Sequence, residues 1–178
     1  YVRWWECSLW AALAPDLSPS TYRFLSFVDD VQILTPSPWV GRIVRLSDHL
    51  LTSTGGSMSH TKSVVVSLYD GVPTLCPLPV VLAVKVLGVL VVGHCPCQAD
   101  RAVVSRMVAD FYAQRLSRVT QVAHRAMRFP VSIRVSLLRA AVLPALLYGT
   151  WFLPPPSGWL VQVRKLVVHC LWGSRTTL

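Results

Sequence analysis

Between Ala99 and Phe129 apolar residues recur at the i, i+3, i+4 spacing of one helical face: Val104, Val108, Phe111, Tyr112, Leu116, Val119, Ala123 and Ala126. Arg106, Arg118, Arg125 and Arg128 fall on the opposite side. Pro130 stops the run, because the residue before a proline is driven out of the helical region. A stripe of this length has to be covered, so the spacing predicts a long helix packed against other elements. Two shorter helices are predicted after it. One starts at Ser132 as N-cap, carries Leu137, Leu138, Ala141 and Val142, is kinked or broken at Pro144 and ends near Gly149. The other follows the stiff Pro154-Pro155-Pro156 spacer, runs from Ser157 through Leu160, Val163, Val167 and Leu171, and is closed by Gly173.

The half before residue 98 has a different texture. Clusters of Pro, Gly and Ser (Pro15 to Ser20, Pro36 to Pro38, Gly55-Gly56, Pro73 to Pro79) cut it into short β-branched and aromatic pieces, which read as short strands with a connecting helix. Residues 77–93 and 135–153 approach the ~20 apolar residues that cross a bilayer. Lys85 and Arg139 sit near their centres, each costing about 2.5–3.5 kcal/mol there. The first run, rich in Val, reads better as buried strand with a turn at Gly88 or just beyond. The expected class is therefore α+β: short antiparallel strands over 1–98, then a mainly helical region over 99–178.

Composition narrows the function. With 53% hydrophobic and 14% charged residues, the 178-residue chain is too apolar to be disordered. Its mean hydropathy of +0.49 points to a membrane surface, or to a piece of something larger whose other parts cover its apolar faces. A start at Tyr1 rather than Met fits the second expectation. The net charge is +9, and arginine dominates the basic residues, which favours a polyanion such as nucleic acid. Cys7, Cys76, Cys95, Cys97 and Cys170 are odd in number and scattered, which speaks against a disulfide framework and for a reducing, intracellular compartment. His94-Cys95-Pro96-Cys97 lacks the two-residue gap of a zinc site. Trp151, Trp159 and Trp172 read as packing anchors.

The segment Arg23 to Leu34, RFLSFVDDVQIL, carries the chemistry. Alternation puts Leu25, Phe27, Val31 and Ile33 on one face with Asp29 between them, a β-hairpin whose turn holds Asp29 and Asp30. Two adjacent acids between apolar strands are met either by water or by a cation. A divalent metal serves the second case, since Mg2+ takes one or two carboxylates together with phosphate oxygens.

Phe27-Val28-Asp29-Asp30 resembles the aromatic-x-Asp-Asp hairpin of reverse transcriptases, and the pieces after it resemble those of the non-LTR (LINE-type) retrotransposon branch. Gly55 to Ser63 is similar to the family's Gly-Leu-x-Ile-Asn-x-x-Lys-Ser/Thr segment, and Val86-Leu87-Gly88-Val89 to its Tyr-Leu-Gly-Val/Ile primer-grip hairpin. Arg115-Leu116, Pro130 with Arg134, Leu143-Pro144, Leu146-Leu147-Tyr148-Gly149, Trp151 and Leu171-Trp172-Gly173 resemble its thumb-side pattern. The resemblance spans roughly residues 20 to 175. Ser59 stands in place of the usual Asn and Val86 in place of the primer-grip aromatic. The upstream carboxylate and the Gln-Gly-x-Pro-Leu-Ser-Pro template segment have no counterpart in this chain.

The resemblance implies a partial palm over 1–98 and a thumb-like region over 99–178 of an RNA-directed DNA polymerase that works with Mg2+, without activity of its own. Asp29 would ligate the metal and Asp30 would act as a weaker ligand. Lys62 would approach the triphosphate of the incoming deoxynucleotide and supply a proton to leaving pyrophosphate; on the residues alone it reads equally as a loop lysine. Leu87 and Gly88 would position the primer end. Arg106, Arg118, Arg125 and Arg128 would grip the phosphates of an RNA template and DNA primer; a solvated helix face is the plain alternative. A nuclear site of action follows for a retroelement. The competing readings are a non-catalytic basic helical module that binds nucleic acid, and a small membrane-associated protein.

Overall fold

The computed structural model describes the backbone of residues 2–16, 18, 23–27, 30–69 and 76–173. Within these the chain is mixed α+β, with two separate two-stranded antiparallel sheets among helices. It forms two compact units, residues 1–82 and 83–178. The division falls ahead of the change in sequence pattern at residue 98, because the second hairpin packs on the long helix that follows it.

The first unit holds two helices where one connecting helix is expected among short strands, and it opens with the first of them, α1 (Val2–Leu13). Its aromatic content suggests strand, but Trp5, Leu9 and Leu13 repeat at i, i+4, i+8, and all three are buried. They meet Ile43 of α2 (Val40–Ser53), with Phe24, Val31 and Ile33 of the hairpin packed alongside. The Trp5 and Phe24 rings stand edge to face, 6.0 Å apart. Asp16 after α1 binds Arg42 of α2 at 2.7 Å.

The hairpin consists of β1 (Arg23–Phe27) and β2 (Asp30–Leu34). Its register pairs Phe24 with Ile33, Ser26 with Val31 and Phe27 with Asp30. This corrects the expected faces. Phe27 and Asp30 are partners, so odd-numbered residues of β1 share a face with even-numbered residues of β2. Phe24, Ser26, Val31 and Ile33 share the inner face, while Leu25 and Leu34 lie on the other and are exposed.

The second unit begins with a hairpin of β3 (Ala83–Val86) and β4 (Val89–Val92) joined at Leu87-Gly88. The long helix α3 (Gln98–Ala126) starts at Cys97, whose Sγ accepts the Asp100 N–H at 3.3 Å. All eight stripe residues are buried or packed at the core, where Tyr112 meets Trp159 edge to face at 5.0 Å. The next helix starts two residues earlier than predicted: α4 (Val131–Leu137) is capped by Pro130, and Ser132 lies inside it with its carbonyl bonded to Ser136. A π turn over Leu138–Val142 follows, then α5 (Leu143–Leu147). The widened turn ahead of Pro144 absorbs the mismatch that the missing N–H brings, and Pro144 falls in the first turn of α5, where no intrahelical donor is needed. The last helix, α6 (Trp159–Trp172), starts two residues later than predicted, is capped by Gly158 and ends at Gly173, whose φ is 79°. Of the three tryptophans read as anchors, only Trp159 is buried; Trp151 and Trp172 are 85% and 66% exposed. Among the described residues no helix is long and apolar enough to cross a membrane.

Candidate functional site

In the first unit the register of the β1–β2 hairpin ends with Phe27 paired to Asp30. Asp29 lies outside the described residues, as does the side chain of Asp30. Two neighbouring carboxylates match Mg2+ in donor type and in number, the remaining positions being those that water and phosphate oxygens take. Among the described residues no three His, Cys, Asp or Glu side chains gather at a point. Lys62 is exposed in a turn after α2, where its N–H and that of Ser63 both reach the Ser59 carbonyl, at 3.1 and 2.9 Å. Next to it His60 lies 3.6 Å from Asp48.

In the second unit the strands of β3 and β4 are joined by a turn in which Leu87 has φ 47° and Gly88 φ 81°. Positive φ at both central residues is the requirement of the type I′ turns that match strand twist. Glycine meets it freely; leucine does so at a cost of about 1–2 kcal/mol. The turn is bonded to Arg115. Its Nη2 donates to the Gly88 carbonyl at 2.8 Å, and its Nη1 donates to the carbonyls of Tyr148 and, at 3.4 Å, Leu146, at the end of α5. The guanidinium stacks on Phe111, 4.7 Å from the ring centre, with Tyr112 at 5.7 Å. Burial pulls the Arg115 pKa below the ordinary arginine value, opposed by Tyr112 and Tyr148.

Three sequence segments far apart in the chain therefore meet at one junction: Leu87-Gly88, Arg115, and Tyr148-Gly149. The sequence reads Arg115 only as a fragment of a thumb-side pattern. A sharper signal is present, because an arginine between Phe111/Tyr112 and Val119 occupies the apolar stripe itself, and there it needs acceptors.

The arginines of the helical region divide by what they touch. Arg101 donates to the Cys95 carbonyl at 3.4 Å, and Arg134 donates to the Phe129 carbonyl at 2.7 Å and to the carbonyls of Cys170 and Leu171 that end α6. With Arg115 they serve the fold. Arg106, Arg118, Arg125 and Arg128 are exposed and bond no partner among the described residues. The ion pairs of the described residues, Arg42–Asp16 and His60–Asp48, both belong to the first unit. Residues 83–178 hold twelve Lys and Arg against Asp100 and Asp110, whereas residues 1–82 hold five against six acids. The chain's positive charge is thus a property of the second unit.

No protein-family model matches the chain, and comparisons with curated proteins and with solved structures find no match.

Proposed function

We propose that the chain is the part of a non-LTR-type reverse transcriptase that carries the catalytic hairpin of the palm and the thumb-side helices, and that it does not polymerise alone. The observation that carries this reading is the antiparallel register of β1 and β2, in which Phe27 pairs with Asp30. This supports the reading, since an aromatic-x-Asp-Asp hairpin motif needs paired strands on either side of it. The meeting of Gly88, Arg115 and Tyr148 adds support, since pieces that resemble separate motifs of that family form one packed junction.

On this reading Asp29 and Asp30 hold Mg2+, which when bound neutralises charge on the phosphate oxygens in transit. Lys62 binds the triphosphate of the deoxynucleotide and holds a proton for the departing pyrophosphate. The backbone of Leu87-Gly88 holds the primer end, and Arg106, Arg118, Arg125 and Arg128 grip phosphates of the RNA–DNA duplex without reading sequence. The missing upstream carboxylate and template segment leave the chain inactive until they are supplied.

A complementation assay tests this directly. The fingers and upstream palm of a non-LTR element are added in trans, and primer extension is compared for wild type and Asp29→Ala. Extension that needs Asp29 supports the reading; a wild-type chain that extends nothing refutes it.

The charge division favours a second reading, a basic helical module that binds nucleic acid without catalysis. It is the better account if salt-sensitive binding by residues 83–178 persists unchanged in Asp29→Ala and Asp30→Ala chains that never extend a primer.

A further inference from the structure

We propose that Arg115 is a positioning residue: its guanidinium fixes the Leu87-Gly88 turn against α3 and the end of α5, so that the turn and the helices move as one piece. The proposal rests on the polymerase reading only where it assigns the turn to the primer end.

The geometry is specific to the arginine fork. One nitrogen reaches Gly88 and the other reaches Tyr148 and Leu146, while the plane lies on Phe111. A lysine ammonium is a point charge on a flexible stem and cannot span both carbonyls while stacked on the ring. The tie is also needed. Leu87 sits at a φ of 47° and is half exposed, so the turn is held in a conformation its own residue disfavours. Two further contacts close the same junction: a Cβ at Gly88 would stand 3.7 Å from the Tyr148 ring, and one at Gly149 would stand 2.8 Å from Val89 Cγ2. β3 and β4 are only four residues each, and a two-stranded hairpin this short has little stability without such anchoring.

Hydrogen exchange on the whole chain reads the anchoring. Arg115→Met keeps an apolar stem on Phe111 and removes the fork. Amides of residues 83–92 and 147–153 are expected to exchange at least about tenfold faster, with α6 at its wild-type rate and Arg115→Lys in between. Val163→Ala, a core lesion in α6, supplies the contrasting pattern of acceleration throughout the unit. If Arg115→Met gives that global pattern, or leaves 83–92 unchanged, the assignment is overturned.

The role at the primer is read in the complemented polymerase as the ratio of extension from a matched to a mismatched primer terminus. This ratio is independent of how much chain is folded. It should fall about tenfold in Arg115→Met, since small misplacements of reacting atoms are costly, recover partly in Arg115→Lys, and stay at the wild-type value in Val163→Ala. An unchanged ratio in Arg115→Met overturns the primer role. Failure of the wild-type assembly to extend at all overturns the polymerase reading and the primer role with it, while the exchange result decides the anchoring independently.

Discussion

Gly149 lies so close to Val89 that a side chain between them has no room: a Cβ on Gly149 would stand 2.8 Å from Val89 Cγ2 and 3.3 Å from Cγ1. Gly149 also has φ 75°, so an L residue there is strained in backbone as well as in packing. Gly149→Ala should therefore cost about 2–4 kcal/mol, the sum of the left-handed penalty and forced repacking. Gly158 gives the comparison, since its φ is 82° but nothing lies within 4 Å of its added Cβ. Gly158→Ala should cost only about 1–2 kcal/mol. Urea midpoints of the two variants check the difference, and equal losses would mean that the β3–β4 turn is not docked on the end of α5.

Leu87 offers the opposite experiment. It holds a positive φ while half of its side chain faces solvent, so little packing is lost on replacing it. Asn tolerates this conformation and Gly prefers it, and Asn-Gly is the strongest two-residue hairpin signal. Leu87→Asn should raise stability by about 0.5–1 kcal/mol, seen as a higher denaturation midpoint with unchanged slope. A loss of stability would indicate that the Leu87 side chain, rather than its backbone, matters to the hairpin.

How much of this could be read from residues depends on the range of the interaction involved. The stripe from Val104 to Ala126 is legible because eight positions repeat a single period; seven of them pack in the core cluster, and Val104 is buried as well. The Leu87-Gly88 turn and the Gly173 cap are legible because glycine marks a backbone that other residues resist. The inner face of the β1–β2 hairpin is misread, since Leu25 and Phe27 share a face with Val31 and Ile33 only if odd-numbered residues pair with odd, and the register pairs Leu25 with Gln32 and Phe27 with Asp30. Ser132 has the side chain of a cap, but Pro130 already has the extended ψ of 154° and its carbonyl takes the Arg134 N–H at 3.1 Å. Trp151 and Trp172 read as core only from residue type, and neither lies on a buried face. The junction of the candidate site is the hardest to foresee. Gly88, Arg115 and Tyr148 sit in separate segments, and only tertiary packing brings their polar groups together.

Two buried groups make stability depend on alkaline pH. Burial raises the Tyr112 phenol above its ordinary value of 10.0, against the pull of Arg115. Burial likewise raises the Cys170 thiol above its ordinary value of 9.0, against the pull of Arg134. Each holds its proton more tightly folded than unfolded, so its contribution is complete below the unfolded value and is lost as pH climbs through the folded one. Stability should be flat at neutral pH with respect to both groups, fall from about pH 9 as Cys170 begins to ionise in the unfolded chain, and fall further above pH 10. Tyr112→Phe removes a hydrogen bond to the Leu153 carbonyl and should cost about 1 kcal/mol at pH 7. It should also flatten the curve above pH 10, and Cys170→Ala the part that begins near 9. Curves that keep their full alkaline slope in both variants would assign the effect to other groups.

The same cysteine separates from the others by access. Cys7 and Cys97 are exposed, while Cys170 is 1% exposed, with its Sγ directed at the Ala123 carbonyl at 3.8 Å. A thiol reagent at neutral pH should modify Cys7 and Cys97 first and Cys170 only with unfolding. Mass mapping of the labelled peptides reads this, and early modification of Cys170 would place α3 and α6 apart in solution.

The exposed arginines with no bonded side-chain partner differ from the half-buried Arg134 in what their loss should change. Arg106, Arg118, Arg125 and Arg128 bond nothing among the described residues, so replacing all four by Gln should leave the urea midpoint within about 0.5 kcal/mol of wild type. Arg134 closes α6 through the carbonyls of Cys170 and Leu171, so Arg134→Gln should lower it. Binding to an RNA–DNA hybrid should show the reverse order. Each phosphate neutralised releases condensed counterions and adds about 0.9 to the slope of log affinity against log salt on a duplex. If all four arginines meet phosphates, the quadruple variant should lose about 3 to 4 from that slope, with similar losses on unrelated sequences. Arg134→Gln, measured where it is still folded, should keep the wild-type slope. A quadruple variant whose slope is unchanged would make this face a solvated one, and the phosphate grip would then have to come from Arg139, Arg164 and Lys165, which are also exposed.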